Sequence, residues 1–187
     1  WMVHSFPTRR SSDLQAAELY GVRTWGSGYY DVSAGGDVEV RLPGSNGSPV
    51  TVRLSAIVEG LRDRGMMLPV VLRFAGILGD RIRLLNETFA KAIEALAYKG
   101  QYRGVFPIKV NQQQQVVEEI ARHGRAWHHG LEAGSKAELI AALAYLQDPE
   151  ACLVCNGYKD EEFIRLALYG QKMGLRPLLV IEMPGEL

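Results

Sequence analysis

The chain changes rhythm about a third of the way along. Residues 20–54 read as short strands: Tyr30 to Val32, a turn at "SAGG", Val38 to Leu42 with Val38, Val40 and Leu42 alternating, then "VTVRL" after the loop "LPGSNGSP". Ser55 sits where it would cap a short helix ending near Gly65. From Leu68 onward, apolar runs alternate with helical patterns. The runs are "LPVVLRF", "GVFPIKV", "WHHGLEA", "ACLVCN" and "PLLVIE". Between them lie a helix with Ile82, Leu85, Phe89, Ile93 and Leu96 on one face, stopped by Gly100, and a helix from Gln113 to Ala121. "SKAELIAALAYL" and "DEEFIRLALYGQKMG" supply the last two. Strand then helix, repeated, implies a parallel sheet with right-handed crossovers.

Two architectures fit this pattern. The five strands form either a doubly wound open sheet or the first part of a (β/α)8 barrel. A complete barrel takes about 250 residues, more than the 187 present. In both, ligands bind at the carboxyl ends of the strands. Lys109, Glu132, Asn156 and Glu182 fall near those ends.

Lys109 asks for an explanation. Its neighbours Val105, Phe106, Ile108 and Val110 argue for burial on both faces, and a buried lysine needs a partner, a shifted pKa or a chemical role. A lysine at a barrel rim can form a Schiff base with an aldehyde. The simpler reading on spacing alone is a strand-end lysine reaching water. Glu132 lies at the next strand end, where its carboxylate could pair with Lys109. Ser135 and Glu138 match a capping box, which gives Glu138 a structural reading beside a site role.

Other signals are weaker. "CLVC" has no second cysteine pair and places Cys152 and Cys155 on opposite faces of a strand, so no zinc site is expected. His128 and His129 also fall on opposite faces and lack metal-ligand company. "GSGYY" and "AGG" read as turns. The charges of "YKDEEFIR" read as a helix start with acidic residues in the first turn.

Composition narrows the function. Lys plus Arg and Asp plus Glu are both 21, so the net charge of zero gives no case for nucleic acid or an acidic membrane. At 47% hydrophobic residues a packed core is expected, with no apolar run of spanning length. Two cysteines favour a reducing, cytoplasmic setting over a disulfide framework. The start, "WMVHSFPTRRSSDL", has no clear period. It resembles translated adapter sequence, so residues 1–14 read as a non-native leader, 15–54 as a β-rich segment and 55–187 as the first part of a barrel. The end falls directly after a strand-like run, which reads as a truncated fragment.

Several stretches carry a family resemblance, in order: "WGSGYYDV", "LRFAGIL", "NETFAKAI", "YRGVFPIKVNQ", "GLEAGSKAEL" and "CNGYKDEEFIRLAL". Together they resemble the biosynthetic arginine decarboxylases, from about Tyr20 to Leu187. The resemblance implies an alanine-racemase-like (β/α)8 barrel that binds pyridoxal phosphate through Lys109. It implies Glu132 as the acidic residue beside that lysine and Glu138 as a second acidic residue near the cofactor. It also implies conversion of L-arginine to agmatine and carbon dioxide in putrescine and spermidine synthesis. Magnesium as a second cofactor and a homo-oligomeric parent, dimer or tetramer, follow from the same resemblance. The phosphate cradle and the partner of the pyridine nitrogen are expected from later strands, so the fragment alone is expected to be inactive. Ornithine or diaminopimelate decarboxylases of the same fold, and a non-catalytic pyridoxal phosphate carrier, remain alternatives.

Overall fold

The computed structural model describes residues 16–44 and 48–187. The leader reading for residues 1–14, and Ser45 to Gly47 of the expected loop, lie outside the described residues. The chain divides into two compact units, one reaching to Ile77 and the other spanning Leu78–Leu187.

In the first unit a short helix α1 (Val22–Trp25) precedes three antiparallel strands in the order β1 (Tyr30–Val32), β2 (Val38–Leu42), β3 (Val50–Arg53). The alternation in β2 fixes the register: Val40 is fully buried and lies between Tyr30 and Val52. The turn from β1 to β2 is tied by Ser33, whose Oγ accepts from the amides of Gly35 and Asp37. Helix α2 (Leu54–Asp63) follows, but Ser55 does not cap it. The helix begins one residue before Ser55, with Arg53 at the cap position, so Ser55 lies inside the first turn and its hydroxyl donates to Asp37 Oδ1 at 2.7 Å.

The run Leu68 to Phe74 corrects an expectation. It forms no strand among the described residues, so the parallel strands number four and not five. The side-chain alternation is present: Val70, Leu72 and Phe74 are half-buried, Val71 and Arg73 exposed. Alternation selects a face, but a ladder also needs a neighbouring backbone, which the pattern does not specify.

Helix α3 (Ala75–Ala95) leads into the second unit. There the four parallel strands are β4 (Val105–Pro107), β5 (Gly130–Ala133), β6 (Cys152–Cys155) and β7 (Arg176–Leu179). They pair in sequence order, each beside the next. A doubly wound sheet would reverse that order partway. Helices α4 (Gln114–Gly124), α5 (Lys136–Tyr145) and α6 (Glu161–Lys172) cross between the strands. Their helically spaced apolar residues meet the sheet: Val117 and Ile120, Leu139 and Ala142, Phe163 and Ala167 join Leu131, Leu153 and Cys155 in one core. Helices α5 and α6 approach closely at Gly170, where a Cβ would lie 2.7 Å from Leu143 Cδ2. Strand β5 is buried at all four residues, the signature of a central strand covered on both faces.

The histidines also depart from the strand reading. Strand β5 begins only at Gly130, because α4 continues into a 3-10 turn, Arg125–Trp127, and His128 adopts a left-handed φ of 51°. His128 Nδ1 lies 2.9 Å from Asp148 Oδ2. His129 is buried, its Nδ1 has no hydrogen-bond partner among the described residues, and burial holds its pKa below the ordinary 6.5.

Two outcomes follow. Leu153→Ala removes a fully buried side chain from the centre of the sheet and is expected to cost about 2–5 kcal/mol in urea unfolding. Burial disfavours the charged form of His129 in the folded state relative to the unfolded chain, so its contribution is present above about pH 6.5 and lost as pH falls. The urea midpoint should therefore drop between pH 7 and pH 5, and the drop should be smaller in His129→Gln; equal drops would contradict the assignment.

Candidate active site

Strand β4 ends at Pro107, and the chain turns through a 3-10 segment, Ile108–Val110. The turn sends Ile108 into the core and leaves Lys109 beyond the strand end. Lys109 is therefore not the buried lysine its neighbours suggest: its side chain is 62% exposed. Only the first half of the apolar run is strand, so strand geometry does not extend to Lys109.

The buried charge belongs to Glu132 on β5, in register with Pro107 of β4 and Val154 of β6. Its side chain is 6% exposed, and its Oε1 lies 3.7 Å from Lys109 Nζ. The same oxygen accepts a hydrogen bond from Asn156 Nδ2 at 3.1 Å. Asn156 follows β6, and its amide donates to Ala133 O at 3.0 Å, which fixes its place beside β5. A buried carboxylate needs such partners. The contact to Lys109 is long and its lysine end is solvated; pairs of that kind contribute at most about 1 kcal/mol. The amine is thus held near the carboxylate without being locked to it.

Glu138 lies at the start of α5. Ser135 Oγ accepts from the Glu138 amide at 3.3 Å, as a helix cap should. The carboxylate reaches one residue beyond the expected capping box: Oε2 accepts from the Gly134 amide at 2.8 Å, and Oε1 accepts from Gln112 Nε2 at 3.2 Å. Gly134 lies between the two acids, since a Cβ there would be 3.6 Å from both Glu132 Oε1 and Glu138 Oε2. Lys109, Glu132 and Glu138 therefore gather at the carboxyl ends of β4 and β5. Glu182, after β7, accepts from the Gly157 amide at 2.6 Å.

Sequence reasoning missed Lys159. Asp160 does cap α6, accepting from the Phe163 amide at 2.9 Å, but the lysine before it is not part of a solvated helix start. Lys159 Nζ lies 3.1 Å from Glu186 Oε2, with side chains 1% and 2% exposed, and also donates to Gly157 O. The Lys159 amide donates to Glu186 Oε1 and the Glu182 amide to Glu186 Oε2. Hydrogen bonds, first from the Glu182 amide and then from Lys159, hold the Glu186 carboxyl below the usual carboxylate range, against the opposing effect of burial. Lys159 lies in a loop, where no period marks a buried face, and its partner is 27 residues away.

Cys152 is half-buried and Cys155 buried, and burial pushes the Cys155 thiol up to about 11. Among the described residues no group of three His, Cys, Asp or Glu is placed to hold a metal ion. Nor is any described helix long and apolar enough to cross a membrane.

Comparison with known proteins gives this geometry a context. The biosynthetic arginine decarboxylase of Prochlorococcus marinus (strain MIT 9303) is 47% identical over 171 residues, 91% of this chain and 26% of that protein. That of Gloeobacter violaceus is 45% identical over 172 residues, 92% of this chain and 26% of its own. The crystal structure of the biosynthetic arginine decarboxylase SpeA from Campylobacter jejuni matches with a TM-score of 0.80 at 34% identity, over 89% of this chain and 27% of that one. The chain thus spans about a quarter of the length of the curated relatives it matches. The consecutive strand order and the fit to this structure settle the architecture as part of a (β/α)8 barrel. Residues 82–187, the segment that holds all four strands and the acidic cluster, match the family model of the pyridoxal-dependent decarboxylase, pyridoxal binding domain, and the chain belongs to that family.

Proposed function

We propose that this chain is the cofactor-holding part of an enzyme that converts L-arginine to agmatine and carbon dioxide, a step that feeds putrescine and spermidine synthesis in the cytoplasm. The observation that carries the reading is the Lys109 amine, exposed beyond a strand end and 3.7 Å from a buried carboxylate. The relatives named biosynthetic arginine decarboxylases support arginine as the substrate. The residues fit pyridoxal phosphate in one essential respect: Lys109 is accessible to an aldehyde and is not consumed by a tight ion pair.

Pyridoxal phosphate, when bound, supplies a sink for the electron pair left as the carboxylate departs. Lys109 provides the amine that holds it. An amine must shed its proton to act as a nucleophile, and Glu132 Oε1 is placed to receive it. Asn156 keeps that oxygen turned toward the lysine. Glu138 holds Gln112 and the Gly134 amide, and so shapes the floor of the cofactor site between β4 and β5.

The test uses the complete polypeptide that carries this chain, with added pyridoxal phosphate. Agmatine should form from arginine; putrescine from ornithine, or lysine from diaminopimelate, would move the substrate to a relative of the same fold, and cofactor binding without carbon dioxide release would make the protein a carrier. Borohydride should trap the cofactor on Lys109, read by peptide mass, and Lys109→Ala should abolish both trapping and turnover. Glu132→Gln keeps an oxygen for Asn156 but cannot take a proton. It should lower kcat by about 10²–10⁴ with little change in KM. Near-normal turnover by either variant would remove that residue from the chemistry.

A further inference from the structure

We propose that Lys159 and Glu186 are positioning residues for the carboxylate that faces Lys109, acting through the loop Asn156 to Lys159. The proposal rests on the functional reading above for its catalytic consequence, though not for its structural part.

The loop is fixed on two sides. Toward β5, the Asn156 amide is bound to Ala133 O and its side chain to Glu132 Oε1. The chain then turns at Gly157, with φ of 75°, and packs against the β5–α5 connection so tightly that a Cβ would lie 2.5 Å from Gly134 O. Away from β5, the segment after β7 supplies carboxylates to two amides of the loop, and a third contact closes within the loop itself. The Gly157 amide meets Glu182, the Gly157 carbonyl meets Lys159 Nζ, and the Lys159 amide meets Glu186. Asn156 is thus pressed toward Glu132 by a loop whose other side is tied to a buried ion pair.

Stability alone is a poor reason for that pair. Enclosing both charges is costly, and apolar replacements of such a pair are often neutral or stabilising. What an apolar pair cannot supply is direction: the two Glu186 oxygens receive the Lys159 amide, the Lys159 ammonium and the Glu182 amide at once. That sets the loop's height over the sheet. Misplacement of a reacting group by about 1 Å can cost a hundredfold in rate, so a small shift of Asn156 would be felt at Glu132.

The test uses the complete polypeptide and four variants: Glu186→Gln, the apolar pair Lys159→Met with Glu186→Leu, Asn156→Ala, and Asn156→Ala combined with Glu186→Gln. In cofactor-free protein, amide exchange at Gly157 and Lys159 should rise about tenfold in Glu186→Gln while the central amides of α6 keep their protection. The apolar pair should keep the melting temperature but not the exchange protection of the loop. With cofactor and arginine, Glu186→Gln should lose on the order of tenfold in kcat with KM little changed, and should lose nothing further once Asn156→Ala is present. Unchanged loop exchange, a uniform rise in exchange with a lower melting temperature, or additive losses in kcat would each overturn the proposal. If the unsubstituted protein does not turn over arginine, the functional reading fails instead, and loop exchange alone decides whether the ion pair holds Asn156 in place.

Discussion

A carboxylate inside a parallel sheet governs this structure. Glu132 sits on β5, the strand buried on both faces, and 5% of the residue is exposed. A charge there is tolerable only if neighbouring elements bring polar groups to it. Asn156 comes from the end of β6 and Lys109 from the turn after β4, one from each flanking strand. The consecutive strand order makes this possible, because parallel strands bring their carboxyl ends to one rim.

The two lysines stand in opposite surroundings. Lys109 stands on a 3-10 turn anchored by buried Ile108, so its amine reaches solvent while staying within range of Glu132. On the proposed reading that amine meets an aldehyde, which requires it to be reachable. Lys159 is the opposite case: its ammonium is enclosed, partnered by Glu186 and Gly157 O, and bound to its loop.

Glycine and acid alternate in the connections that make the rim. Gly134 separates the Glu132 and Glu138 carboxylates and gives its amide to the second. Gly157 allows the β6–α6 loop to lie against Gly134 and gives its amide to Glu182. Backbone amides answering carboxylates let several acids crowd one rim without requiring a cation for each.

The sequence by itself determined the alternation of strands and helices after Val105, the short strands near the start, the helix cap at Ser135, the helix start after Tyr158, and the strand-end placement of Lys109, Glu132 and Asn156. These follow from local periodicity, from turn chemistry and from the rule that parallel strands end together. The resemblance of "YRGVFPIKVNQ" and "GLEAGSKAEL" to a decarboxylase family marked Lys109, Glu132 and Glu138. Tertiary structure alone decided the rest. Leu68 to Phe74 has strand-like alternation but no ladder, since pairing depends on a neighbour. The strands at Lys109 and His129 are shorter than their apolar runs, because turns at Ile108 and Arg125 intervene. Lys159 and Glu186 find each other across an intervening helix and strand, and no local pattern encodes a partner that far along the chain.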